Sequence, residues 1–161
     1  MPRHVGAAIY TALLLATSSA PSFSGPYPSE IAFGDDGGIS VALTDVAGDA
    51  AAGAAIYADR SSGNCVACHV ISGREDATFQ GTIGPSLDGA GDRWDTAQLR
   101  GIVVDAKQMF PESMMPSFHK SSGYIRPGDA FTGKAGAEPL PPLLMAQQVE
   151  DVVAYLATLK E

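Results

Sequence analysis

Apolar positions fall into three stretches of helical period, separated by long polar or Gly/Pro-rich segments. The C-terminal stretch is the clearest. Between Gln147 and Lys160, Val149, Val152, Val153, Leu156 and Leu159 recur at three- and four-residue steps with Tyr155 at the edge, which predicts an amphipathic helix. Upstream, Asp95-Thr96-Ala97-Gln98 has the form of a capping box. It opens a predicted helix running to about Ala106, with Leu99, Ile102 and Val103 on one face. An Ala-rich segment from Asp49 to about Ser61 predicts another helix, with Asp49 as N-cap and Gly63 as stop. Gly53 and Tyr57 share a face of it, and a glycine beside an aromatic lets a second helix approach closely. The C-terminal helix is the expected partner at that crossing.

The segments between have no such period. Pro21 to about Gly48 carries the turn signals Gly25-Pro26 and Asp35-Asp36-Gly37-Gly38 and reads as an extended arm. Ile39, Val41 and Leu43 alternate in it, as in a short strand or in a leader lying along a partner. Val70 to Gln80 is polar and predicts a loop. Lys120 to Pro142, with Gly123, Pro127-Gly128, Gly133, Gly136 and Pro139, predicts a long loop, and such loops tend to be functional or disordered.

The N-terminus has the layout of a secretory signal: Arg3 and His4, an apolar run from Val5 to Leu15, and the small residues Ser18-Ser19-Ala20. That run is too short to span a bilayer. Pro21 disfavours cleavage directly after Ala20 and moves the expected site toward Ser24-Gly25. The expected organisation is a signal peptide over 1–24, an arm over 25–47 and a single all-α domain over 48–161, in a protein exported to the periplasm without a membrane span.

Composition changes this picture in two ways. With 45% hydrophobic but only 7% aromatic residues, and 18 glycines, the chain predicts helices packed closely through small residues. A net charge of −8 excludes nucleic acid as a partner.

The candidate chemistry starts at Cys65-Val66-Ala67-Cys68-His69, the attachment pattern of a c-type haem. One turn of backbone places the two thiols to add to the porphyrin vinyl groups, and the next imidazole points at the iron. Zinc would need further ligands, and the chain has no other cysteine. A thioredoxin-like pair would need strands that are not predicted, and the adjacent His69 argues against a simple disulfide.

Gly84-Pro85 forms a tight bend, and the Pro85 carbonyl is the candidate acceptor for the other ring N–H of His69. Trp94 and Arg93 are candidates for the haem environment, by packing or by an N–H to a propionate. The Met- and Pro-rich run Met109 to Phe118 supplies candidates for the sixth iron ligand. Met115, directly before Pro116, is the first choice, Met114 the alternative and His119 the competitor outside the pair. An open sixth site, as in a haem enzyme, is the remaining arrangement.

Together these residues resemble a class I cytochrome c. Gly84-Pro85-Ser86-Leu87-Asp88-Gly89, Gly91-Asp92-Arg93-Trp94, Gln98 to Asp105, Met114-Met115-Pro116-Ser117-Phe118 and Gly128 to Gly133 further resemble SoxX, the monohaem subunit family of the SoxAX cytochromes. That resemblance implies one covalent haem c, with Cys65 and Cys68 as thioether anchors, His69 as proximal and Met115 as distal ligand. It also implies a SoxA-like partner that joins thiosulfate oxidatively to the SoxYZ carrier, and a soluble cytochrome that takes the electrons onward. Both cysteines are consumed by haem, so the chain itself is not expected to catalyse the transfer. A free electron shuttle is the alternative.

Overall fold

The computed structural model describes residues 1, 28–129, 132–136 and 138–161. Residues 2–27, with nearly all of the expected signal segment and the start of the arm, lie outside the described residues. Four α-helices follow in order: α1 (Ala50–Ala58), α2 (Ala90–Arg93), α3 (Thr96–Asp105) and α4 (Ala146–Thr158). Short 3-10 turns occupy Pro28–Glu30, Cys65–Ala67 and Ala106–Gln108.

Both predicted N-caps are formed. The Asp49 side chain accepts from Ala51 N at 2.8 Å. Asp95 and Gln98 close a reciprocal capping box, with Gln98 N donating to Asp95 Oδ1 at 2.9 Å and Asp95 N to Gln98 Oε1 at 3.1 Å. Helix α1 stops earlier than expected. Asp59 leaves helical geometry, and its carboxylate accepts from Ser61 N at 2.9 Å, which turns the chain before Gly63.

Helix α4 is the centre of the packing. Its apolar stripe meets Leu99, Val103 and Val104 of α3 in one buried cluster, while Tyr155 joins Tyr57, Val66 and Ile71 in a second. Burial of each such large side chain contributes about 1.5–3 kcal/mol. Helices α1 and α4 cross at Gly53, where an added Cβ would lie 2.0 Å from the Asp151 carbonyl oxygen and 2.8 Å from Tyr155 Cβ.

The arm departs from expectation. Ile39 and Leu43 are 2% and 3% exposed and Val41 is 75% exposed, so the alternation is real, yet no strand forms. The inward residues face helices. Ile39 N donates to the Ala97 carbonyl at 2.9 Å and Leu43 N to Glu150 Oε1 at 2.8 Å. Arg100 completes the join: Nε and Nη2 reach Glu150 Oε1 and Oε2 at 2.7 and 3.0 Å, and Nη1 reaches the Ile39 carbonyl at 2.6 Å. This buried ion pair ties arm, α3 and α4 together, so the described arm belongs to the domain rather than trailing from it.

The Lys120–Pro142 segment has more order than a plain loop. Leu140 N donates to the Ser121 carbonyl at 2.7 Å, Gly136 N to Pro127 at 2.7 Å and Asp129 N to Lys134 at 2.9 Å. An antiparallel bridge joins Gly128 and Ala135. These bonds link its described residues without forming a helix or a named strand. Among the described residues no helix is long and apolar enough to cross a membrane.

Candidate functional site

The cysteine motif winds into a single turn. Asn64, with φ of 48°, turns the chain into it, and Cys68 N and His69 N both donate to the Cys65 carbonyl, at 3.1 and 2.9 Å. The two cysteines are not joined in a disulfide. Burial pushes the Cys65 thiol up to about 11, unlike the low-pKa thiolate of an activated redox pair.

His69 is braced from several sides. Its Nδ1 lies 2.7 Å from the Pro85 carbonyl oxygen, as the Gly84-Pro85 bend predicts. A carbonyl can only accept, so Nδ1 carries the proton and Nε2 is left as the metal-binding nitrogen. Gly84 permits the approach, since a Cβ there would lie 2.3 Å from His69 Cε1. The bend is held in turn by Gly84 N donating to the Cys68 carbonyl at 2.8 Å.

Several supporting residues carry no sequence signal of this role. The Tyr57 hydroxyl stands 2.8 Å from the His69 carbonyl and 2.7 Å from Gln80 Oε1, and its one proton serves either acceptor. Burial, then the neighbouring Tyr155, pushes the Tyr57 hydroxyl up to about 12, which keeps it protonated. Gln80 pins the loop after the motif, accepting from Ile71 N at 2.7 Å and donating to the Ile71 and Arg74 carbonyls at 3.2 Å. Asp88 accepts from Ser72 Oγ and Ser86 Oγ, each at 2.7 Å, and from Ser72 N at 2.9 Å. These bonds hold its carboxyl below the usual range.

One cavity of about 750 Å³ gathers the predicted residues: Cys65, Cys68, His69 and Pro85 line it, and so do Arg93, Trp94, Met114 and Met115. Leu99, Val103, Val152 and Leu156 add apolar wall. Arg93 braces the bend, donating to the Asp88 and Ser86 carbonyls at 2.5 and 3.0 Å. Trp94 packs edge-on against Phe110 with ring centroids 5.9 Å apart. The two methionines differ sharply. Met114 is 80% exposed, whereas Met115 is partly buried against the main core cluster. His119 is 2% exposed, its Nδ1 lies 2.8 Å from the Leu144 carbonyl oxygen, and it is not among the residues lining the cavity.

The donor set fits a covalently held haem: two cysteine side chains, an imidazole of defined tautomer and a thioether face one large apolar cavity. Asn64 lines it too, and its Oδ1 is buried without a hydrogen-bond partner.

Comparison with known proteins agrees. A family model for cytochrome c matches residues 50–160, and the chain belongs to that family, with its small all-α class I fold and covalent haem c. Within it the resemblance is to SoxX. The crystal structure of SoxXA from P. pantotrophus contains a chain 53% identical to this one, with a TM-score of 0.82, the match covering 85% of this chain and 99% of that one. No curated protein sequence matches.

Proposed function

We propose that the chain is the monohaem electron-transfer subunit of a periplasmic SoxAX-type cytochrome. In this reading it pairs with a SoxA-like subunit, takes electrons released when that subunit couples thiosulfate to a SoxYZ carrier, and passes them to a soluble cytochrome. The observation that carries it is the single cavity shared by the cysteine–histidine turn and the Met115 loop.

When bound, one haem c supplies a one-electron ferric/ferrous couple. Cys65 and Cys68 anchor it as thioethers. His69, oriented by the Pro85 carbonyl, would hold the iron through Nε2. Met115 would hold the iron through its thioether, a ligand that favours the reduced state and leaves small molecules no open position. The apolar wall keeps water from the site, while Ile83 and Leu143, 69% and 57% exposed at the cavity, leave an apolar rim through which a partner gains access.

Two measurements test this reading. Met115→Ala is expected to abolish the sulfur-to-iron charge-transfer band of the ferric protein, while Met114→Ala retains it. Equal small effects overturn the ligand assignment. Co-purification with haem staining is expected to recover a second, SoxA-like cytochrome, and elution of a lone small haem protein favours the free shuttle instead.

A further inference from the structure

Met115 lies on an irregular segment between the 3-10 turn Ala106–Gln108 and the buried Phe118. The backbone secures both ends of this segment. Phe110 N donates to the Ala106 carbonyl at 2.8 Å, and Phe118 N and His119 N donate to Val103 and Val104 at 3.4 and 3.3 Å. Around Met115 itself, side chains from the end of α3 take over. Lys107 Nζ donates to the Met115 carbonyl at 2.6 Å. Ser117 Oγ donates to Asp105 Oδ1 at 2.6 Å. Asp105 is oriented for this by Lys107 N at 3.3 Å and Gln108 Nε2 at 3.2 Å. Closer in, Met115 N donates to Ser113 Oγ at 3.2 Å.

We propose that Asp105 and Lys107 are positioning residues for the distal ligand, gripping the Met115 loop at its carbonyl and at Ser117 and so setting how often the thioether leaves the cavity. This rests on the reading of Met115 as the sixth ligand. Neither residue lines the cavity, so both act through the loop rather than on the cofactor. Both bonds lie outside the core clusters, so their loss opens the loop locally while leaving the fold intact.

The test uses the ferric holoprotein and imidazole, which binds iron only after the thioether leaves. Removing a hydrogen bond worth about 1–1.5 kcal/mol raises the open fraction about tenfold. Lys107→Met and Asp105→Ala are therefore each expected to raise the imidazole association rate about tenfold over wild type. The charge-transfer band is retained in both, because the closed form still predominates, and thermal unfolding stays near that of the parent. Lys107→Arg keeps a donor and restores the parental rate, and Ser117→Ala reproduces Asp105→Ala. Should Asp105→Ala fail to load haem, Ser117→Ala interrogates the same bond. Association rates within about twofold of wild type in both Lys107→Met and Ser117→Ala overturn the proposal, since bonds of this strength predict more. Met115→Ala separates the two levels. If it keeps the band, the ligand reading fails and takes the clamp with it. If it loses the band while the clamp variants bind imidazole as wild type does, the ligand stands and the clamp falls.

Discussion

At the scale of single residues, the imidazole of His69 is ordered by atoms that are mostly backbone, and Gly84 is where that order is most exposed to mutation. A methyl group 2.3 Å from a ring held by its own hydrogen bond has nowhere to go, so Gly84→Ala displaces either the ring or the bend. We expect a loss of about 1–3 kcal/mol from such overpacking, with a weakened His69–Pro85 bond, read by denaturant unfolding and by the reduction potential of the holoprotein. Asp88 yields a pH signature. Its folded carboxyl sits below its ordinary value because Ser72 and Ser86 donate to it. Its stabilisation is thus fully present above the unfolded value of about 3.9 and is lost as pH falls through the lower folded value. Asp88→Asn should be less stable than wild type at neutral pH, and the gap should close in acid, as followed by urea midpoints across pH.

At the scale of elements, the α1–α4 crossing reverses a propensity rule. In an exposed helix Gly→Ala stabilises by about 1 kcal/mol. At Gly53 the same change drives a Cβ against the Asp151 carbonyl at 2.0 Å, forcing the helices apart. Gly53→Ala is expected to destabilise by about 2–3 kcal/mol, and Ala55→Gly, at an exposed position of the same helix, by about 1 kcal/mol. Thermal unfolding of the two variants compares them directly. The helices themselves were legible in the chain because a capping box, an apolar stripe or a cysteine–histidine turn is complete within one or two turns of backbone. The bend at Pro85 was legible only once the cysteine motif had supplied a histidine in need of an acceptor.

At the scale of the whole molecule, the Arg100–Glu150 pair joins arm, α3 and α4 with side chains only 6% and 7% exposed. Breaking such a pair by removing one charge costs about 3–5 kcal/mol, because the other charge stays buried. Glu150→Gln should therefore unfold at markedly lower denaturant and show faster proteolysis within residues 31–48. Arg100→Met combined with Glu150→Leu should recover much of the stability, since an apolar pair of similar volume replaces the charges. It should not recover protection of the arm, whose Ile39 carbonyl and Leu43 N–H lose their partners.

That pair marks the boundary between local and long-range information in this protein. The haem-attachment turn, the three long helices and the Met-Pro loop were each written in neighbouring residues, where spacing alone dictates which groups meet. The packing of the arm, the brace from Gln80 and Asp88, and the contrast between exposed Met114 and half-buried Met115 arose only when distant segments came together. Leu43 and Glu150 lie 107 positions apart. A polar residue in the chain does not announce a partner that far away. Burial makes the partner obligatory, and folding brings it within reach.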